Sequence, residues 1–366
     1  MDLTPQDFQR YSRHLNLTEI GAAGQEKLKS ARVLIIGLGG LGCPAAMYLA
    51  GAGIGKLGLV DSDQIETSNL QRQPLYASSN VGKFKAEVAA KTLQSYNPLI
   101  EIEAYPIAIN ELNALSLIEN YDIVIDATDN FKTRYLINDA CFFLKKLNVF
   151  ASVTQFEGRL TTFSPDGPCY RCLYPEPPID IILNCASEGI LGSVPGFWGT
   201  LQATEALKLI LNIGENAVGI MHVGDLLNFS LKRLIIKKHP SCPLCSSEAT
   251  IKKLSSLSTI CGSVSNLSCE ELKNWLKIKK DFMLIDVREK EEFLSGTIEG
   301  AISLPLSQIV KLKSSDELPF LTKEKTAVLF CQSGQRSVKA GTLLSSLGFN
   351  DLFTLIDCKN HFIVPK

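Results

Sequence analysis

Three sets of residues in this chain have the types and spacing to do chemistry. Gly37, Gly39 and Gly42 spell GxGxxG directly after the apolar run VLII, and Asp61 closes the next apolar run 19 residues later. Glycines there let backbone approach phosphates at a helix N-terminus, and an acid at that distance suits ribose hydroxyls. This pattern alone fits a nicotinamide enzyme as well as an ATP enzyme. Residues downstream of Asp61 separate the two: SNLQRQ from Ser68 to Gln73, then Lys85, then DATDN from Asp126 to Asn130. Hydride transfer needs no cations around the phosphates, whereas nucleotidyl transfer builds negative charge on the α-phosphate and on departing pyrophosphate. Arg72 and Lys85 suit that charge, and Asp129 at a strand end suits Mg2+.

The second set is sulfur in pairs. Cys169-x-x-Cys172 and Cys242-x-x-Cys245 stand 69 residues apart, and each can present two thiolates to one tetrahedral Zn2+. The ion would staple a crossover segment to the end of its domain. Two redox dithiols are the alternative, disfavoured because neither pair is expected to open a helix. The third set is Cys331, which opens CQSGQRS between the apolar run AVLF and a helix. Inward N–H groups of such a loop, with the helix terminus, would stabilise a thiolate or persulfide. Cys43, Cys141, Cys261, Cys269 and Cys358 are expected to be buried packing or incidental.

These residues need a scaffold, and the chain alternates short apolar runs with helical stretches. ARVLIIG, KLGLVD, DIVIDAT and LNVFAS read as buried strands, with PAAMYLAGAG and KAEVAAKTLQSY as helices between them. That is the pattern of a doubly wound α/β sheet. A proline-rich loop, YPEPPID, a helix from about Gly199 to Leu211 and a strand pair then lead to HPSCPLC. Residues 1–248 form this first domain. Residues 249–263, rich in Ser, Thr and Lys, read as a linker. Residues 264–366 repeat an α/β pattern with FMLIDVR and TAVLFC as strands and SVKAGTLLSSLG as a helix ending on glycine.

Composition narrows the classes. The 366 residues are 45% hydrophobic and 20% charged with net charge −1, which is globular and gives no support to a nucleic-acid or anionic-membrane partner. Val33 to Gly55 carries no charge, but seven glycines within it argue for strand, turn and helix, not a membrane span. The polar start MDLTPQDFQRYSRHL is no signal peptide, so a cytoplasmic location is expected, where eleven cysteines mean metal or thiol chemistry sooner than disulfides.

RYSRHL, GLGGLGCP, VDSDQIETSNLQRQ, DATDN and CYRCLYP, in this order over about residues 5–246, resemble the MoeB/ThiF family, relatives of ubiquitin-activating enzymes. The resemblance implies adenylation of the C-terminal glycine of a ubiquitin-like sulfur-carrier protein with Mg·ATP. By position, Gly37, Gly39, Gly40 and Gly42 would form the phosphate loop and Asp61 would hold the ribose. Asn69, Arg72 and Lys85 would contact the phosphates, Asp129 would be the magnesium-linked acid, and Ser68, Leu70, Gln71 and Asn130 would complete the nucleotide site. Arg13 resembles an arginine that reaches the partner subunit's site, which implies a homodimer. Cys185, in NCASEGILG, aligns with a crossover-loop cysteine that some relatives use in a covalent link to the carrier.

About residues 264–362, through CQSGQRS and IDVREKEEFLSGTIEGAISLPL, resemble a rhodanese domain. Cys331 would then carry the persulfide with Arg336 beside it, while Asp286 and Arg288 look structural. Thr297 stands where rhodanese sequences usually have His, and LIDCKNHF replaces the usual C-terminal glycine pair. The chain thus reads as an adenylyltransferase fused to a sulfurtransferase, on a Rossmann-like sheet with a structural zinc site plus a smaller rhodanese domain. A carrier of the molybdopterin-synthase small-subunit type is the expected partner, with a thiamine-pathway carrier as alternative. A cysteine desulfurase or thiosulfate would supply sulfur. A nicotinamide dehydrogenase with a regulatory thiol domain is the reading from another class.

Overall fold

The computed structural model describes residues 2–175, 189–254, 264–312, 314–323, 325–332 and 334–355, without the side chains of Asn266, Gln335 and Ser346. They form two compact units, one ending near residue 255 and one beginning after it.

The first unit opens with three helices, α1 (Pro5–Arg10), α2 (Ser12–Leu15) and α3 (Gly21–Ser30). Thr4 and Asp7 form a capping box on α1, and Lys29 of α3 pairs with Asp7 at 2.6 Å, which ties the two helices together. Then the alternation begins: β1 (Arg32–Ile36), α4 (Gly42–Ala52), β2 (Lys56–Val60), α5 (Lys85–Tyr96), β3 (Glu101–Tyr105), α6 (Ala114–Ile118), β4 (Ile123–Asp126), α7 (Phe131–Phe143) and β5 (Leu147–Thr154). These strands pair in parallel in the order β3-β2-β1-β4-β5. Strands such as RVLII are buried along almost their whole length, as a sheet covered by helices on both faces requires.

The remaining elements are β6 (Glu157–Phe163), α8 (Tyr170–Leu173), α9 (Ser193–Leu211), β7 (Ile220–Asp225) and β8 (Ser230–Ile235). β6, β7 and β8 extend the sheet past β5 in antiparallel order. The charge-free stretch Val33–Gly55 divides into β1, the glycine turn and α4, and α4 stops at Gly53, whose φ of +83° closes the helix. Among the described residues no helix is long and apolar enough to cross a membrane.

Two boundaries differ from expectation. α9 begins at Ser193, six residues before Gly199, because Pro195 falls in the first turn, where its missing N–H costs nothing. Ile251 and Leu254, within the stretch read as a linker, pack on the first unit, Ile251 against the paired cysteines and Leu254 on the sheet. Most of YPEPPID, and residues 255–263, lie outside the described residues.

The second unit has β9 (Val264–Leu267), α10 (Cys269–Lys277), β10 (Met283–Asp286), α11 (Lys290–Leu294), β11 (Ile302–Ser303), α12 (Leu306–Ile309), β12 (Ala327–Phe330), α13 (Gln335–Ser346) and β13 (Leu352–Leu355). Its five strands are all parallel, in the order β11-β10-β12-β13-β9. Cys331 directly follows the buried central strand β12, so the loop it opens lies at the carboxyl end of the sheet, where α/β folds place their sites.

Candidate functional site

The glycine turn between β1 and α4 is set by close packing. A Cβ on Gly42 would lie 1.9 Å from the Gly37 carbonyl oxygen, and Gly37, at φ +91°, would meet the Ala127 oxygen at 2.7 Å. Only glycine fits at either position. Gly40 faces Pro195 at the start of α9, and Gly39 has open space up to the Gln73 amide at 3.7 Å. No side chain caps the N-terminus of α4; the Cys43 and Ala45 N–H groups donate to the Gly39 and Leu41 carbonyls and Pro44 has none, which leaves the Gly42 N–H and the positive end of the helix dipole to meet an anion.

Around this turn stand the residues expected there. Asp61 accepts the Leu38 N–H at 2.7 Å and the Asp63 N–H at 2.8 Å, which locks β2's end against the glycine turn. Burial pushes its carboxyl above the usual range, against the pull of Lys85 and the two N–H groups. Lys85 opens α5, and its ammonium pairs with Asp63 at 2.8 Å. Ser68 and Asn69 form a short 3-10 turn in which buried Asn69 accepts the Glu66 N–H, and the Arg72 guanidinium donates to the Ser68 carbonyl at 2.9 Å. Leu70 packs on the core, and the Gln71 carbonyl lies so close to Gly192 that a Cβ there would be 2.3 Å away. Asp129 is exposed at the end of β4, and Asn130 caps α7 by accepting the Thr133 N–H.

One level beneath, Asp126 is fully buried, with one oxygen held by Thr128 and the other without a partner. Gln73 is buried too, and its carbonyl oxygen likewise has no partner. An open cradle at Gly39, the N-terminal end of α4 and two cations suit a polyanionic nucleotide, and the unpartnered Gln73 oxygen can accept from a hydroxyl or amino group of it, so the residues present fit ATP. Gln73 and Asp63 were not singled out in the sequence. Gln73 ends SNLQRQ and Asp63 ends DSD, and that adjacency was the available signal. Arg13 is exposed on α2 and makes no hydrogen bond or ion pair among the described residues. Cys185 lies outside them.

The paired cysteines converge. Sulfur separations are 3.8 Å for Cys169–Cys172, 3.6 Å for Cys169–Cys242 and 3.3 Å for Cys172–Cys245, with all four within 4.8 Å of one another. A Zn–S bond of about 2.3 Å in a tetrahedron puts sulfurs about 3.8 Å apart, so the donor set fits zinc. Contact with Cys169 holds the Cys172 thiol down to about 4, burial pushes Cys245 up to about 12, and Cys172 drives Cys169 up. Four packed thiols need a cation before all can ionise. Cys169 is the N-cap of α8, so this pair does open a short helix, contrary to expectation; the convergence of both pairs still favours ligation over two separate dithiols. Behind it, Arg171 makes a bidentate pair with Asp139, with contacts of 2.7 and 2.8 Å, and the Tyr170 N–H donates to Asn138, which fixes α8 on α7.

In the second unit, Cys331 is half-buried at the end of β12, with Ser337 3.8 Å from its sulfur. Arg336 lies within electrostatic range of Cys331 but is held by both oxygens of Glu292 on α11. Arg288 and Asp286 form a buried bidentate pair, and Arg288 also donates to the Gly296 carbonyl. Thr297, the departure from the rhodanese pattern, donates its hydroxyl to Asp286 at 2.7 Å, so the scaffold there is satisfied. LIDCKNHF lies outside the described residues beyond Leu355, as do Cys261 and Cys358. Cys43 and Cys141 are buried free thiols, as expected; Cys269 is disulfide-bonded, which was not.

A glycine-turn, doubly wound unit with a four-thiol cluster, joined to a parallel unit presenting one open thiol, defines a two-unit α/β protein built to handle nucleotide and sulfur separately. The chain belongs to the ThiF family, which matches residues 11–244, and residues 268–358 match the rhodanese-like domain. It is 39% identical to a probable adenylyltransferase/sulfurtransferase MoeZ of Mycobacterium tuberculosis, covering 95% of this chain and 91% of that one. Identity is 44% to a sulfur carrier protein adenylyltransferase of Thermus thermophilus, over 72% of this chain and 99% of that one. With the adenylyltransferase and sulfurtransferase MOCS3 of Mus musculus it is 39%, over 94% and 81%. Among solved structures, E. coli MccB with AMPCPP and MccA superposes with a TM-score of 0.59 at 26% identity, covering 67% of this chain and 75% of that one.

Proposed function

We propose that this chain activates the C-terminal carboxylate of a ubiquitin-like sulfur-carrier protein with ATP and then places sulfur on it. The observation that carries the reading is the gathering of Lys85, Arg72 and Asp61 around an uncapped glycine turn, in a chain that also presents Cys331 at a strand end. Relatives named for both activities, similar over nearly the whole chain, support it.

A carboxylate resists attack by sulfur; as an acyl-adenylate it carries AMP as leaving group. The glycine turn and α4 would cradle the phosphates, Arg72 and Lys85 would meet charge developing on the α-phosphate and pyrophosphate, and Asp61 would orient the ribose. Mg2+, held on the Asp129 side, would supply charge neutralisation. A Cys331 persulfide then attacks the activated carbonyl, AMP departs, and an acyl-disulfide remains. A second thiol attacks the Cys331 sulfur, forming a disulfide with it and releasing the carrier thiocarboxylate. Cys185 is the candidate for that thiol, and external thiol can replace it. Zinc on the four cysteines is structural. The carrier is of the molybdopterin-synthase small-subunit type, with a thiamine-pathway carrier next.

ATP–pyrophosphate exchange with each carrier tests the reading. Arg72→Ala, Lys85→Ala and Asp129→Ala should each lower carrier-dependent exchange about 100-fold, the effect of losing one preorganised charge. Near-wild-type exchange in all three folded variants refutes it. The working form is a homodimer in which Arg13 completes the neighbouring site. Mixed Arg13→Ala and Asp129→Ala chains should therefore regain part of the activity that neither has alone; no recovery after verified subunit exchange counts against a shared site.

A further inference from the structure

Lys85 is a cation placed where cations are disfavoured. Its side chain is 7% exposed, and it opens α5, where unpaired N–H groups and the helix dipole already add positive potential. Among the described residues its ammonium makes one ion pair, to the Asp63 carboxylate at 2.8 Å. The Lys85 N–H donates to the Asp63 carbonyl at 2.9 Å, so backbone and side chain of the two residues are paired together. Asp63 is the opposite kind of residue, with 67% of its side chain exposed. Asp61, two positions earlier and within electrostatic range of both, holds the glycine turn through Leu38. The turn is therefore flanked by one buried cation that two carboxylates already compensate.

A polyphosphate that takes Lys85 must either displace Asp63 or lie beside it. An exposed carboxylate can turn toward water, but the backbone bond to Lys85 keeps it at short range of whatever takes the ammonium. Coexistence adds like charge at short range, unless a divalent cation shields it.

Resting on the adenylation reading, we propose that Asp63 is a counter-ion gate. It is a positioning residue that holds Lys85 in the empty site, yields it to a polyphosphate whose charge Mg2+ has shielded, and recaptures it as pyrophosphate leaves. Asp63 thereby selects the magnesium complex of the nucleotide over the free polyanion.

Calorimetric binding of AMPCPP to the full chain, with and without Mg2+, tests this. Asp63→Asn should bind AMPCPP about five- to tenfold more tightly than wild type without Mg2+, and within about twofold with it, the scale of a partly buried like-charge contact. Weaker binding only with Mg2+ would make Asp63 a metal ligand; weaker binding in both conditions would make it a mere prop for Lys85. Either result overturns the gate. In a Lys85→Met background the same substitution should change binding less than about twofold; an equal gain there means general repulsion, not competition for Lys85, and also overturns it. Wild type that binds AMPCPP in neither condition defeats the adenylation reading and the gate with it. Wild type that binds, with no tightening in Asp63→Asn, defeats the gate alone.

Discussion

The sulfur atoms of the two units live in opposite surroundings. In the first unit Cys169, Cys172 and Cys242 are buried, Cys245 is nearly so, and Phe142, Phe143 and Leu244 close the shell around them. Each sulfur has other sulfurs as neighbours. In the second unit Cys331 stands without a second sulfur in contact among the described residues, half open to solvent, with Ser337 and the start of α13 beside it. Four mutually contacting, mostly buried thiols are placed to ligate one ion. A single thiol at an open strand end can be reached by another molecule's sulfur, which is what transfer requires.

Three substitutions would break or sharpen this contrast. The largest effect is expected from Cys331→Ala: sulfur transfer to the carrier should fall to background with thiosulfate as sole donor, while ATP–pyrophosphate exchange stays at wild-type level. Thiocarboxylate still formed by that variant would dissolve the distinction. Next comes Cys242→Ala. Metal analysis should find about one zinc per wild-type chain and none in the variant. A structural zinc contributes on the order of 10 kcal/mol, comparable to a whole domain's stability, so the first unit should unfold and lose exchange. Full metal content in this variant would mean the cluster is not the ligand set.

The smallest effect belongs to Thr297→Val, which removes one donor from the buried Asp286 and should lower the second unit's stability by about 1–3 kcal/mol. Denaturant melting read at Trp275, which packs in this unit's core, in a Trp198→Phe background would check it. No loss would show that the hydroxyl at this position is dispensable and that Arg288 alone satisfies Asp286.

What could be read from the sequence was what is local. KAEVAAKTLQSY coincides with α5 from Lys85 to Tyr96, and the VLII run coincides with β1 to within a residue, because a continuous period or run marks both. β3, EIEAY, has no apolar run to mark it because two glutamates, poor strand formers, break it at a sheet edge, and the first turn of α9 is hidden by Pro195 and Gly196. The cysteine types announced a metal site, since four thiols in two pairs have few other uses. Asp63 stayed invisible for a different reason. In DSD either acid could serve the nucleotide, and only the return of the chain at α5, which brings Lys85 against Asp63, tells them apart.

The four-sulfur cluster also bears on how the chain finds its fold. Leu160 of β6 pairs with His222 of β7, and 62 residues of backbone separate them. Through the sulfurs the path is shorter, 9 residues from Leu160 to Cys169 and 20 back from Cys242 to His222. Halving a loop in this way lowers its closure cost by about 0.6 kcal/mol. A metal captured early therefore makes a long-range strand pairing behave as a nearer one, and the antiparallel half of the sheet should form faster in zinc than in chelator.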